Sequence, residues 1–202
     1  MKQFYFDYNS TTPLDPAVYE KIKPFLKDQY GNPSSLTHSY GKIAKKAVEE
    51  SRSIISRGIN CNKEDIIFTS GATESINIAI KGVVFASGLK KKHIVTLKSE
   101  HSAVLDTCEY IKKFDTEIDH LNVDKNGLIN IEDLKNSIRD ETILVIILHA
   151  NNEIGTINPI RKVGKICKKN NIPLLVDAAQ SFGKLPIDVE KDNISLLTGS
   201  SH

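Results

Sequence analysis

The stretch Ile143-Leu-Val-Ile-Ile-Leu148 carries no polar position, and its reading decides the fold. A strand with one face in water alternates apolar and polar residues. One that is apolar throughout is covered on both faces, as in a parallel sheet flanked by helices. Working outward, Leu174-Leu-Val176 reads as a second buried strand with Asp177 at its end. Between the two, Ile160, Val163, Ile166 and Cys167 keep helical spacing. Toward the N-terminus, Glu117–Leu121 and His93–Leu97 read as strands. The helical faces of Ile131, Leu134 and Ile138, and of Val104, Leu105, Cys108 and Ile111, fall between them. Ile66-Ile-Phe-Thr69 reads as the first strand, followed by a helix over Ile76–Val84 that Gly88 closes. A last apolar run from Ile194 ends in Gly199-Ser-Ser-His202. Strands alternating with helices predict an α/β fold, a three-layer α/β/α sandwich with a mainly parallel sheet.

Ahead of this alternation, residues 1–14 read as an extended arm. Asp15-Pro16 is a helix start, an N-cap followed by proline at the first helical position. Val18, Ile22, Phe25 and Leu26 mark one face of that helix, with Pro24 as a kink or end. Gly31-Asn-Pro-Ser-Ser35 is a turn cluster, too short for a linker between domains. A second helix is predicted from near Gly41 to a stop at Gly58. The domain division expected is an arm over 1–14 and one domain over 15–202.

Composition narrows the function. With 40% hydrophobic and 26% charged residues and a net charge of +2, nothing directs the chain to nucleic acid or to a membrane surface. Lys90-Lys-Lys92 reads as a solvated helix end, favoured there by the helix dipole. The three cysteines, Cys61, Cys108 and Cys167, are too widely spaced for a disulfide framework or a zinc site, so no metal is expected. Cys108 and Cys167 fall on apolar helix faces and are assigned to packing. The N-terminus has no apolar stretch long enough for a signal peptide or a membrane span, which makes a cytoplasmic protein the default.

The residues that could carry chemistry cluster where strands give way to helices. In Thr69-Ser-Gly-Ala-Thr73 the glycine permits a tight turn. The first helical amides beyond it are unpaired donors at the positive end of a dipole. With the hydroxyls of Ser70 and Thr73 they would form a phosphate cup, unless Ser70 is simply the helix cap. No P-loop lysine and no G-x-G-x-x-G follow any strand, so a small phosphorylated ligand is favoured over a nucleotide. His101 follows the His93–Leu97 strand and is either a surface or packing residue or a proton carrier. Asn152 lies in an Asn-rich turn that either offers amide donors or exists for backbone reasons. Asp177 is either a solvated turn residue or the anchor for a cationic group. All lie at the carboxyl ends of strands, where open α/β sheets collect ligands.

Taken in order, Phe6-Asp-Tyr-Asn-Ser-Thr-Thr-Pro13, Tyr30-Gly-Asn-Pro-Ser-Ser35, Phe68-Thr-Ser-Gly-Ala-Thr-Glu-Ser75, Glu100-His101, His149-Ala-Asn-Asn-Glu-Ile-Gly155, Val176-Asp-Ala-Ala-Gln180 and Gly183-Lys-Leu-Pro-Ile-Asp188 resemble the NifS/IscS-like cysteine desulfurases. These are class V aminotransferase relatives among the fold-type I enzymes that use pyridoxal 5'-phosphate. The resemblance covers essentially the whole chain. It implies that Ala72 and Thr73 hold the cofactor phosphate together with Ser200, Ser201 and His202, where the family usually reads Ser-Gly-His. It further implies that Asp177 pairs with the pyridinium nitrogen, that Gln180 donates to the phenolic oxygen, and that Asn152 lies beside that oxygen and the substrate. His101 would stack on the ring and shuttle protons.

The activity implied is conversion of L-cysteine to L-alanine, with sulfur passing to an enzyme cysteine as a persulfide. That sulfur would serve iron–sulfur cluster assembly or tRNA thiolation. The resemblance also implies a homodimer and a sulfur-acceptor protein as partners. A selenocysteine lyase or another carbon–sulfur lyase of the same fold is the alternative, as is a non-catalytic sulfur-transfer scaffold. The family's Schiff-base lysine would fall one residue past His202. None of the three cysteines matches the persulfide cysteine. The chain is therefore expected to be the front half of a longer protein, with residues 1–14 in its small domain and 15–202 forming an incomplete large domain.

Overall fold

A computed structural model describes residues 3–201, in two compact units that divide between Ile67 and Phe68. The first unit holds helix α1 (Pro16–Lys27) and helix α2 (Ser39–Ile59). Asp15 caps α1 as expected, its carboxylate accepting from Ala17 and Val18 amides at 2.7 and 3.3 Å. Pro24 lies within α1 and the helix runs one more turn past it. His38 caps α2, its Nδ1 accepting from the Gly41 amide at 3.2 Å. Gly58 is not the stop. The helix passes through it and ends at Asn60, which takes the left-handed conformation (φ 58°) and donates to the Ser56 carbonyl. Asparagine substitutes for glycine at such a cap because its short side chain tolerates that region.

The second unit is built on five strands, β1 (Lys92–Leu97), β2 (Thr116–Leu121), β3 (Thr142–Leu148), β4 (Leu174–Asp177) and β5 (Leu196–Thr198). Every pairing is parallel, in the order β2-β1-β3-β4-β5. Helices α3 (Ala72–Ala86), α4 (Ser102–Ile111), α5 (Ile131–Ser137) and α6 (Ile160–Lys169) connect or precede them. The Ile143–Leu148 run holds the central position its composition demands. On one face Ile94, Leu144, Ile146 and Leu175 meet Ile76, Ile80 and Val84 of α3 and Val104, Cys108 and Ile111 of α4. Each such aliphatic side chain contributes roughly 1.5–3 kcal/mol by leaving water. By the pleat, Val95, Val145, Ile147, Leu174 and Val176 project to the other face, and all are fully buried. Contacts of α5 with β2 and of α6 with β4, with α5 against α6, complete three layers.

Two further expectations are corrected. Ile66–Thr69 is not a strand: no described strand pairs with it, and Ile67 is 73% exposed. Hydrophobicity marks a segment that could enter a sheet; it does not supply the ladder partner. Lys90–Lys92 is not a helix end either. Helix α3 stops at Ala86, and Lys92 opens β1 with its ammonium on the Phe114 carbonyl at 3.2 Å. Burial of Cys108 and Cys167 matches their packing assignment, and it pushes both thiols up to about 12. Among the described residues, no helix is long and apolar enough to cross a membrane.

Candidate active site

Every residue of the proposed constellation that the structure describes belongs to the second unit. The short connection Ser87–Lys91 puts the end of α3 beside the start of β1. Fifteen helical residues span about 22 Å and six strand residues about 20 Å. The start of α3 therefore returns to the carboxyl edge of the sheet. Helix α4 follows β1 directly and starts at that same edge.

Asp177 ends β4. Leu175, two residues earlier, packs into the α3/α4 core, so the pleat turns Asp177 to that same face. It is 2% exposed. Its Oδ1 accepts from the Ala179 amide at 3.0 Å and from Thr198 Oγ1 of β5 at 3.5 Å. Burial pushes its carboxyl above the usual aspartate range, against the opposing pull of the Ala179 amide, the His101 imidazole and the Thr198 hydroxyl. The solvated-turn reading is thereby ruled out. A buried acid with so few donors could accept from a cationic N–H.

The turn into α3 differs from expectation in detail. Gly71 is the N-cap and has no side chain to offer. Its backbone is extended (φ 160°), and a Cβ there would meet nothing within 4 Å, so a tight turn is not what the glycine provides. The first intrahelical bond runs from the Ser75 amide to the Gly71 carbonyl at 3.1 Å, which leaves the amides of Ala72, Thr73 and Glu74 ahead of it. Ser70 neither caps the helix nor faces a ligand freely: its amide and hydroxyl both go to Glu74 Oε2, at 2.6 and 2.7 Å. Those two donors hold the Glu74 carboxyl below its ordinary range. Thr69 Oγ1 is bonded to Ser75 Oγ at 2.7 Å. The Thr73 side chain is exposed. The groups of this turn that could form a cup are the helix amides and Thr73, without Ser70.

His101 is the N-cap of α4. Its Nδ1 accepts from the Ala103 amide at 3.2 Å, so the proton of the neutral ring sits on Nε2. Asn152, half-buried, lies in the turn after β3, with Nδ2 donating to Glu153 Oε1 at 2.9 Å. That turn is shaped by Asn151, whose Oδ1 accepts from the Glu153 and Ile154 amides at 2.9 and 3.1 Å. Gln180 follows β4, its Oε1 accepting from Lys184 Nζ at 3.4 Å. Ser200 is half-buried and Ser201 exposed, just past β5, while His202 lies outside the described residues. Thr198 and Glu100 also belong to this edge; from sequence Glu100 appears only within the Glu100-His101 motif, and neither residue carries a role there. A hydroxyl in a short apolar run and an acid before a helix give no signal of burial. Among the described residues, no group of three or more His, Cys, Asp or Glu side chains could hold a metal ion.

Open helix amides and a buried acid along one edge of a parallel α/β domain could hold a ligand with an anionic group and a cationic ring nitrogen. Pyridoxal phosphate has both, and the residues present fit it. The chain belongs to the aminotransferase class-V family, whose model matches residues 4–202. It is 48% identical over 201 residues to a cysteine desulfurase IscS of Dictyoglomus turgidum, covering 100% of this chain and 51% of that protein. A cysteine desulfurase IscS of Rickettsia akari is 50% identical over 198 residues, 98% of this chain and 48% of that protein. The chain thus spans about half the length of the curated relatives it matches. Among solved structures, a NifS-like protein superposes with a TM-score of 0.95 at 37% identity, over 100% of this chain and 55% of its own. SspA in complex with cysteine does so with 0.94 at 39% identity, over 98% and 57%.

Proposed function

We propose that this chain belongs to a pyridoxal 5'-phosphate-dependent cysteine desulfurase, which converts L-cysteine to L-alanine and passes the sulfur to an enzyme cysteine as a persulfide. The observation that carries the reading is Asp177, a buried acid at the rim where α3 offers bare amides and α4 offers an imidazole. The names of the relatives support it. Residues 15–202 would form the larger part of the cofactor domain, and residues 1–14 would join the small domain of a longer protein. Delivery of sulfur to an iron–sulfur scaffold or a tRNA-thiolation protein, homodimerisation and a cytoplasmic location complete the proposal.

Pyridoxal phosphate, when bound, supplies an electron sink that makes the substrate Cα–H acidic. The chain's part is to hold the group and manage protons. Amides at the start of α3, with Thr73, Ser200 and Ser201, would bind the phosphate. Asp177, held anionic by the pairing, would keep the ring nitrogen protonated. Gln180 and Asn152 would donate to the phenolic oxygen. His101 would exchange protons through Nε2, because Nδ1 is occupied by the Ala103 amide.

The test is chemical. Full-length protein loaded with pyridoxal phosphate is expected to yield alanine from L-cysteine in amounts matching sulfide released by a thiol reductant. Cofactor-loaded protein that forms no alanine would overturn the assignment.

A further inference from the structure

The register of β1 against β3 runs only from His93 to Val95, whereas β3 continues to Leu148, which is paired with Asp177 of β4. The Leu148 amide therefore has no β1 carbonyl to meet. It donates instead to Glu100 Oε1 at 2.7 Å. A second bond has its donor on the same side but takes its side chain from the β3 end: Asn151 Nδ2, from the turn after β3, donates to the Ser99 carbonyl at 3.3 Å. Where the ladder ends, two side chains thus stitch the β1–α4 turn to the β3 end.

Glu100 is 6% exposed, and its other oxygen, Oε2, is buried with no hydrogen-bond partner among the described residues. An arrangement of this kind is destabilising for the fold. Burial, with Asp177's charge adding to it, holds the Glu100 carboxyl well above the ordinary range. Each stitching residue immediately precedes a proposed site residue, Glu100 before His101 and Asn151 before Asn152. Fixing the backbone at the stitch fixes where the next side chain leaves it.

We propose that Glu100 and Asn151 form a cross-brace that positions His101 and Asn152 around Asp177, with Glu100 as its principal positioning residue. This rests on reading the Asp177 edge as the active site.

The test uses full-length protein carrying Glu100→Ala, Glu100→Gln or Asn151→Ala. Backbone hydrogen exchange, measured without added cofactor, is followed in segments 99–104 and 146–152. In E100A, exchange is expected to rise about tenfold in both segments together. E100Q should restore it, because the amide oxygen still accepts from Leu148. N151A should raise exchange about threefold, chiefly in 99–104. With cofactor and L-cysteine, E100A should lower kcat more than it weakens substrate binding, again with rescue by E100Q. Unchanged exchange in E100A, a rise confined to one segment, or an E100Q variant as impaired as E100A would each overturn the brace. Failure to take up pyridoxal phosphate would defeat the active-site reading instead, and the exchange pattern would still decide the brace.

Discussion

Helices α3 and α4 start at the same edge of one sheet and end their first turns in opposite ways. At α3 the cap is a glycine, Ser70 is drawn off to Glu74, and the leading amides stay open. At α4 the imidazole of His101 closes the end by accepting from the Ala103 amide. Both helix ends carry the same positive dipole. One keeps its leading amides open, and the other is capped by a ring whose second nitrogen is left for the proton transfer proposed above. Asp177, of opposite charge preference, lies on the face these two helices cover. A helix N-terminus is therefore not a site by itself; what occupies its first amides decides its chemistry.

The strongest way to break this contrast is to remove the acid it frames. Asp177→Ala should raise the dissociation constant for pyridoxal phosphate by roughly 100-fold or more, as for loss of one partner of a buried charge pair. Equilibrium titration of the full-length protein measures it, and wild-type affinity would contradict the assigned role. Next, Gly71→Asp should make α3 resemble α4. The backbone is extended and the Cβ has open space, so the aspartate can cap the helix. Thermal unfolding should show a gain of a few tenths of a kcal/mol, while affinity for the cofactor drops about tenfold as the new carboxylate competes for the amides.

Substitution at His101 separates cap from chemistry. His101→Ala should cost about 1 kcal/mol of stability, while His101→Ser, another capping side chain, should recover most of it. Both should lose turnover alike, since neither carries an imidazole. The smallest effect concerns the turn leading into α4. Burial raises the Glu100 carboxyl, so above its ordinary value of 4.5 the unfolded chain releases a proton that the folded chain keeps. Stability then falls as pH rises through the interval between the unfolded and folded values. Glu100→Gln removes that proton difference, and its denaturant midpoint should vary less than wild type's between about pH 5 and 8.

The legibility of the molecule in its sequence follows the range of the forces involved. The strand Ile143–Leu148 announced a covered parallel sheet because burial on both faces requires apolar residues at every position. Ile66–Thr69 carried the same signal and is no strand, because pairing depends on a partner that composition does not name. Asp177 could be placed at a strand end but not distinguished from a solvated acid, since its burial comes from β5 and from helices distant in sequence. The Ser70 hydroxyl could be read as part of a phosphate cup or as the helix cap; it is neither, because the Glu74 carboxylate four residues on takes it, a competition that residue type alone does not settle. The pairing of Glu100 with Leu148 spans 48 residues, and no local pattern could have shown it.

The most direct measurement is a crystal structure of the full-length protein with pyridoxal 5'-phosphate bound. The account expects the phosphate on the first amides of α3 beside Thr73, with the ring nitrogen against the Asp177 carboxylate and the His101 imidazole over the ring. A phosphate bound elsewhere, or a ring nitrogen turned away from Asp177, would contradict it.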